Sequence, residues 1–237
     1  MNGASRKTDL AFFALFGATS AAVIATIHVV FLATPVEATM GVVQKIFYFH
    51  VPAALGMYLG AIACFIGSGL YFLSPTDRRD AFARAGAETA VVFGLIVLVT
   101  GPLWALKAWG RYWTWDPRLT TSLLSVLIYV AYCILRAFTG DGDFEKKIAS
   151  VLGIVGAANL PIIHFSVQKL SGQHPRVISG GGGGMAPEMW PPLLLGLVSF
   201  ALLAIALVWL RTRMGILRAR VARLEDEMAA LQTEGEA

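Results

Sequence analysis

Residues 191–210 read PPLLLGLVSFALLAIALVWL, a stretch of twenty residues without a charged side chain. A helix of about 20 apolar residues spans the ~30 Å core of a bilayer, so this stretch is long enough to cross a membrane. Five comparable stretches precede it, at residues 10–32, 51–73, 89–106, 119–138 and 148–166. The sequence therefore predicts an all-α, polytopic membrane protein with six transmembrane helices.

The composition of the whole chain supports the same fold class. Of its 237 residues, 57% are hydrophobic and 14% are charged, and the mean hydropathy is +0.67. Roughly a quarter of the residues of a typical soluble domain are charged, so the chain lies well outside that class. We expect residues 1–210 to form one membrane domain and residues 211–237 to form a helical tail.

The basic residues predict how the helices are oriented. Of the 19 Lys and Arg residues, thirteen lie in the two termini and in the second and fourth loops, and six lie on the other side. Basic segments stay in the cytoplasm, so we expect both termini and the tail to be cytoplasmic. This distribution also explains the net charge of +4 without a nucleic-acid partner. All four histidines fall at the predicted outer face: His28, His50, His164 and His174.

The densest aromatic cluster lies between the third and fourth apolar stretches. Residues 109–118 read WGRYWTWDPR, and a further tryptophan precedes them. An interfacial belt explains one or two aromatic residues at a helix end, but not three Trp and one Tyr within seven residues. Such a cluster offers a flat, stiff, apolar surface that suits a planar macrocycle. We call residues 104–118 the Trp segment. Its candidate binding residues are Trp104, Trp109, Gly110, Arg111, Tyr112, Trp113, Trp115, Asp116 and Arg118.

Charged residues in the Trp segment indicate more specific roles. Arginine binds carboxylates through two parallel hydrogen bonds, so Arg111 and Arg118 are candidate partners for the two propionates of heme. Anchoring at the membrane interface is the alternative for each of them. Asp116 followed by Pro117 is typical of a helix N-cap, which favours a structural role for this carboxylate. The alternative for Asp116 is to orient an arginine or a ligating imidazole.

Two of the histidines are candidate axial ligands of heme iron, which binds neutral imidazole readily. Pro52 disfavours helical geometry at Val51, so His50 should lie at the mouth of the second helix. His174 lies in a polar loop, where a packing role is implausible. Packing or supporting roles are expected for His28 and His164, because both lie within apolar stretches.

The tail carries an apolar pattern of its own. Five residues recur at four-three spacing, which is typical of a coiled-coil seam: Leu217, Val221, Leu224, Met228 and Leu231. Two interpretations stay open. The tail is either a plain extension of the sixth helix or a short coiled-coil contact with a partner.

Three segments resemble motifs of one known family. Residues 109–120, WGRYWTWDPRLT, resemble the tryptophan-rich signature of the heme-handling proteins of cytochrome c biogenesis. The ending PRLT resembles the cytochrome c maturation protein C (CcmC) family, also called heme exporter protein C. Residues 45–54, KIFYFHVPAA, and 159–167, NLPIIHFSV, supply two further matches in the expected order. The resemblance spans roughly residues 40–210.

The resemblance implies a function and a set of partners. Family members bind heme b non-covalently at the periplasmic face of the bacterial inner membrane and present it to a periplasmic heme chaperone. His50 and His174 match the two axial histidines of the family. The chain itself would not be an enzyme, since ATP hydrolysis would belong to an ATP-binding-cassette ATPase that acts with its own membrane subunit. A small single-helix membrane protein would complete the complex.

The chain departs from the family in one segment, and two other functions stay open. Family members often place aromatic residues between the last two histidines, where this chain has QKLSGQ at 168–173, so no aromatic cover is expected from these six residues. A heme permease or export component is one alternative, although few ionisable groups lie in the middle of the helices. A b-type electron-transfer subunit is the other, although such proteins commonly hold both ligands within helices.

Overall fold

The computed structural model describes residues 3–139, 142–169 and 185–235. Within these ranges the chain folds into long α-helices and no β-strand is formed. The helices are α1 (Gly3–His28), α2 (Phe47–Leu73), α3 (Asp77–Trp109), α4 (Pro117–Phe138), α5 (Asp143–Lys169) and α6 (Trp190–Gly235). Each of these six helices is long and apolar enough to cross a membrane, which confirms the predicted fold class.

Several helices extend beyond the apolar stretches that predicted them. α3 begins at Asp77, twelve residues before the expected start, because Thr76 caps it and acidic residues follow in its first turn. α6 continues without interruption through residues 211–235 and is 46 residues long. At a rise of 1.5 Å per residue this is about 70 Å, more than twice the thickness of a bilayer core.

The start of α2 differs from the prediction. α2 begins at Phe47, after a 3-10 turn at Val42–Ile46, so Val51 is helical and His50 lies in the first turn of the helix. The proline at position 52 lacks the N–H that would bond the carbonyl of Tyr48. The backbone of Gly196 in α6 packs closely there, since a Cβ on this glycine would lie 2.8 Å from that carbonyl oxygen. Tertiary packing therefore overrides the local preference against helical geometry before a proline.

α2 and α3 form the centre of the bundle and pack closely through small residues. A Cβ built on Gly60 would lie 2.5 Å from the backbone nitrogen of Ala90 and 2.9 Å from the carbonyl oxygen of Gly86. Small residues allow such close approach of two helix backbones in a membrane. α4 and α5 pack together on one side of this pair, and α6 packs against both central helices. α1 contacts α6, where Thr26 and Ser199 share a hydrogen bond of 2.7 Å.

Ion pairs gather at the end of the bundle opposite the Trp segment. Arg136 of α4 bonds Asp80 of α3 at 2.8 Å. Glu88 of α3 accepts hydrogen bonds from Arg84 on the same helix and from Arg211 of α6. Ion pairs therefore join α3 to α4 and to α6 at this end of the bundle, whereas the Trp-segment end is rich in aromatic side chains.

Candidate functional site

A cavity of about 130 Å³ lies where α3 ends and α4 begins. Its walls come from α2, α3, α4 and the Trp segment, with one side chain from α5. Five residues predicted for the site line this cavity together: His50, Trp104, Trp109, Trp113 and Arg118. Pro102 also lines it, close to the end of α3. The structure thus brings residues from distant parts of the sequence to one place.

His50 is held against α3. Its Nδ1 lies 2.9 Å from Oγ1 of Thr100, and the ring is half-buried. The next residue of α3, Gly101, leaves room for the ring, since a Cβ there would lie 3.2 Å from Cε1 of His50. Nε2 of His50 makes no hydrogen bond with a residue that the structure describes. One ring nitrogen is therefore engaged by protein, and the other remains available to a ligand.

The part of the Trp segment outside helices is shorter than the sequence indicated. α3 continues to Trp109 and α4 begins at Pro117, so only residues 110–116 form the connection. Gly110 ends α3 with a φ of 71°, a left-handed conformation that glycine adopts without steric cost, and its N–H donates to the carbonyl of Leu106 at 3.0 Å. This cap ends α3 and begins the connection to α4.

The aromatic residues of the Trp segment divide into two sets. Trp104, Trp109 and Trp113 line the cavity. Trp104 and Trp109 meet edge to face with ring centroids 5.8 Å apart. In contrast, Tyr112 and Trp115 are 56% and 75% exposed. The segment therefore has a cavity-lining face and an outward face, and the exposed Arg111 belongs to the second.

Asp116 caps α4, as the sequence predicted. Its Oδ1 accepts a hydrogen bond of 2.8 Å from the N–H of Leu119, and Pro117 occupies the first helical position. Its Oδ2 is buried and has no hydrogen-bond partner among the described residues, and the same holds for Nε1 of Trp113 and Oγ1 of Thr114. Buried polar groups without partners cost free energy, so this cluster is suited to a ligand that supplies hydrogen bonds.

Arg118 contributes a half-buried positive charge to the wall of the cavity. Among the described residues, its guanidinium makes no hydrogen bond and no ion pair within 4 Å. Two polar side chains are within electrostatic reach of it, those of Tyr58 and Asp116. A cation in a largely apolar wall favours an anionic ligand, because the ligand would complete the ion pair.

The other histidines stand apart from this cavity. His28 is exposed at the end of α1, and His164 is exposed on α5, in edge contact with Phe165. His174 lies outside the described residues, so its role stays a prediction. No group of three or more His, Cys, Asp or Glu side chains that could hold a metal ion occurs in the described part of the chain.

Sequence reasoning missed the residues that support the site. Thr100 and Gly101 contact His50, and Gln44 accepts a hydrogen bond of 3.2 Å from Nε1 of Trp104. Thr100 and Gly101 sit in an apolar stretch, where a lone threonine or glycine is unremarkable. The nearby Pro102 was the available signal, since a proline at the end of a membrane helix marks backbone that faces protein or a cavity.

Comparison with known proteins identifies the family. Residues 4–227 match the family model described as heme exporter protein C. The protein of that name in Bradyrhizobium diazoefficiens is 35% identical over 200 residues, which cover 83% of this chain and 75% of the relative. Its counterpart in Rhodobacter capsulatus is 32% identical over 200 residues, covering 83% and 82%. That of Escherichia coli K12 is 34% identical over 183 residues, covering 76% and 73%. The chain therefore belongs to the heme exporter protein C family, as its three sequence motifs predicted.

Proposed function

We propose that this chain binds heme b non-covalently at the periplasmic face of the bacterial inner membrane and delivers it to the periplasmic heme chaperone of c-type cytochrome biogenesis. The observation that carries the proposal is the convergence of an imidazole, a guanidinium and three indoles on one cavity. Each group has a matching part in heme: the iron, a propionate and the apolar macrocycle.

The size of the cavity restricts how heme is held. Pockets that enclose a ligand of drug size have volumes of ~300–1,000 Å³, whereas this cavity measures about 130 Å³. Heme is therefore too large to be enclosed in it. The macrocycle would lie against the Trp segment, with His50 and Arg118 reaching it from the cavity. The outward face with Arg111, Tyr112 and Trp115 would extend this platform.

His174 is proposed as the second axial ligand. Its support is the motif resemblance and its place in the sequence between α5 and α6. His50 is fixed on α2 by a contact with α3, whereas a ligand in the loop predicted from the sequence would require no helix to move when it leaves the iron. A fixed ligand opposite a loop ligand suits a protein that must hold heme and then release it.

The proposal includes partners that act on the loaded protein. They are the heme chaperone, an ATP-binding-cassette ATPase with its membrane subunit, and a small single-helix membrane protein. The name of the matched family refers to export, which agrees with action beside a transporter. The chain's own contribution is to bind and present heme, and no step of bond formation is assigned to its side chains.

A permease that conducts heme through its own helices is the second candidate, and the packing of the bundle argues against it. The cavity lies at one end, and buried side chains fill the bundle beneath it. Met57, Phe93, Val126 and Phe200 form one contiguous core cluster there. A Cβ on Gly94 would lie 2.5 Å from Cγ2 of Val126, so α3 and α4 leave little space between them.

A b-type electron-transfer subunit is the remaining alternative. Electron exchange with quinone without loss of heme would favour it.

Visible spectroscopy of the purified full-length protein tests the ligand assignment. We expect a low-spin bis-histidine spectrum for the unmodified protein and its loss when His50→Ala and His174→Ala are combined. His164→Ala is the matched control, because His164 lies on the neighbouring α5 without lining the cavity. A double variant that keeps the normal spectrum would rule out this pair of ligands.

A further inference from the structure

We propose that Thr100 is a positioning residue that holds the imidazole of His50 in the tautomer with the proton on Nδ1, so that the lone pair of Nε2 is presented to iron. The inference rests on the proposed heme function. It adds a residue that neither the Trp segment nor the histidine motifs indicate.

The hydrogen-bond geometry assigns the tautomer. Oγ1 of Thr100 lies 2.6 Å from the carbonyl oxygen of Ile96, one turn earlier in α3, and donates its proton there. A hydroxyl carries only one proton, so toward Nδ1 of His50, 2.9 Å away, the same oxygen acts as an acceptor. Nδ1 must then carry the proton, and in a neutral imidazole this leaves Nε2 as the unprotonated nitrogen.

Gly101 completes the seat for the ring. A Cβ at this position would lie 3.2 Å from Cε1 and 3.8 Å from Nδ1 of His50. The first distance is shorter than an ordinary van der Waals contact. Gly101 lies inside α3, where glycine weakens a helix relative to alanine. Its small size therefore serves the close approach of the imidazole, while the preceding threonine supplies the acceptor.

The choice of acceptor affects how strongly the ligand donates to iron. Metal-ligating histidines commonly donate their second N–H to a carboxylate, a backbone carbonyl or water, and a carboxylate raises the basicity of the ligand. A threonine hydroxyl fixes the same orientation with no negative charge. The geometry thus gives a neutral imidazole that is oriented by the protein but whose basicity is not raised by a carboxylate. Such a ligand fits a protein that must release its heme.

The first test uses heme-free, full-length protein labelled with ¹⁵N-histidine, in which the imidazole nitrogen shifts report the tautomer. The His50 signals are assigned by their loss in His50→Ala. We expect an Nδ1-protonated ring in the unmodified protein and in Thr100→Ser, and a mixture of tautomers in Thr100→Val. An unchanged Nδ1-protonated ring in Thr100→Val, or an Nε2-protonated ring in the unmodified protein, overturns the proposal.

The second test measures heme affinity in the same variants. Loss of a group that orients a metal ligand typically lowers affinity by about 10–100-fold, which is the loss expected for Thr100→Val, with recovery in Thr100→Ser. Thr89→Val is the matched control, because Thr89 makes the same hydroxyl-to-carbonyl bond within α3, at 2.8 Å to Ala85, away from the cavity. Should Thr100→Val fail to accumulate, Thr100→Ala removes the same acceptor.

The outcomes separate this inference from the proposed function. If His50→Ala abolishes the bis-histidine spectrum while Thr100→Val leaves both tautomer and affinity unchanged, only the role of Thr100 is wrong. If His50→Ala keeps the spectrum, the ligand assignment fails, and the tautomer measurement still decides whether Thr100 orients the ring.

Discussion

Arg118 and His50 face the same cavity from different helices, the guanidinium from the first turn of α4 and the imidazole from the first turn of α2. A ligand in contact with both would bridge the two helices. His50 is the candidate ligand of the iron, and Arg118 is the candidate partner of a propionate. The contribution of each residue can be tested with a heme analogue that lacks the group it would bind.

Arg118→Gln should weaken the binding of heme more than the binding of heme dimethyl ester. A hydrogen bond to a charged group contributes about 1.5–3 kcal/mol, so we expect a loss of roughly 10–100-fold for heme by titration in detergent. The ester lacks the propionate charges and should lose little. Arg111→Gln is the control, with a smaller effect because Arg111 is exposed. Equal losses for heme and the ester would show that Arg118 acts on the fold instead.

Asp116→Ala should lower stability through loss of the cap on α4. Removal of such an N-cap costs about 0.5–2 kcal/mol, which thermal or denaturant unfolding of the purified protein would detect. Asp116→Asn keeps an oxygen that can accept from Leu119 and should retain most of the stability. If Asp116→Asn keeps the stability but loses heme affinity, the carboxylate charge serves the ligand as well, whereas a loss of stability equal to that of Asp116→Ala would contradict the capping role of this oxygen.

Gly60→Ala should destabilise the pairing of α2 with α3. Its Cβ would lie 2.9 Å from the carbonyl oxygen of Gly86, and overpacking of this kind costs ~1–3 kcal/mol. Gly69→Ala, in the same helix, is the control, because a Cβ there has no neighbour within 4 Å. We expect a lower unfolding temperature for the first variant and an equal or higher one for the second. The reverse order would contradict the close crossing of these helices.

Trp115→Ala and Trp113→Ala should separate the two faces of the Trp segment. Trp115 is 75% exposed, so its removal should change the free energy of unfolding by no more than about 0.5 kcal/mol while reducing heme retention. Trp113 lines the cavity, so Trp113→Ala should lower both the stability and the heme retention. Unfolding scans and heme content after gel filtration measure the two quantities. Unchanged heme retention in Trp115→Ala would exclude the outward face from the platform.

Much of the fold could be predicted because its signals are local. The six apolar stretches identify the helices by length alone, and the cap at Asp116 follows from a two-residue pattern with known geometry. The position of the aromatic residues and His50 at one end of the bundle also follows from chain order. These features depend on neighbours in sequence, where propensity and length rules operate.

The remaining features depend on how the helices are rotated about their axes. His50 and Thr100 are fifty residues apart, and their contact requires one particular facing of α2 toward α3. The division of the Trp segment into two faces requires the path of residues 110–116, which Gly110 sets through a positive φ. The helical geometry of Val51 arises from packing of α2 against α6, and rules that consider only neighbours in sequence cannot predict such a contact.

The unbroken length of α6 has a mechanical consequence. A continuous helix transmits axial displacement and rotation along its whole length, because its hydrogen-bonded turns do not slide past one another. Trp190 begins this helix at the end of the bundle that holds the Trp segment, and residue 235 lies about 70 Å away at the other end. An axial push or a twist applied to the distal end of α6 is therefore transmitted to Trp190 through the helix backbone, without any relay of side chains.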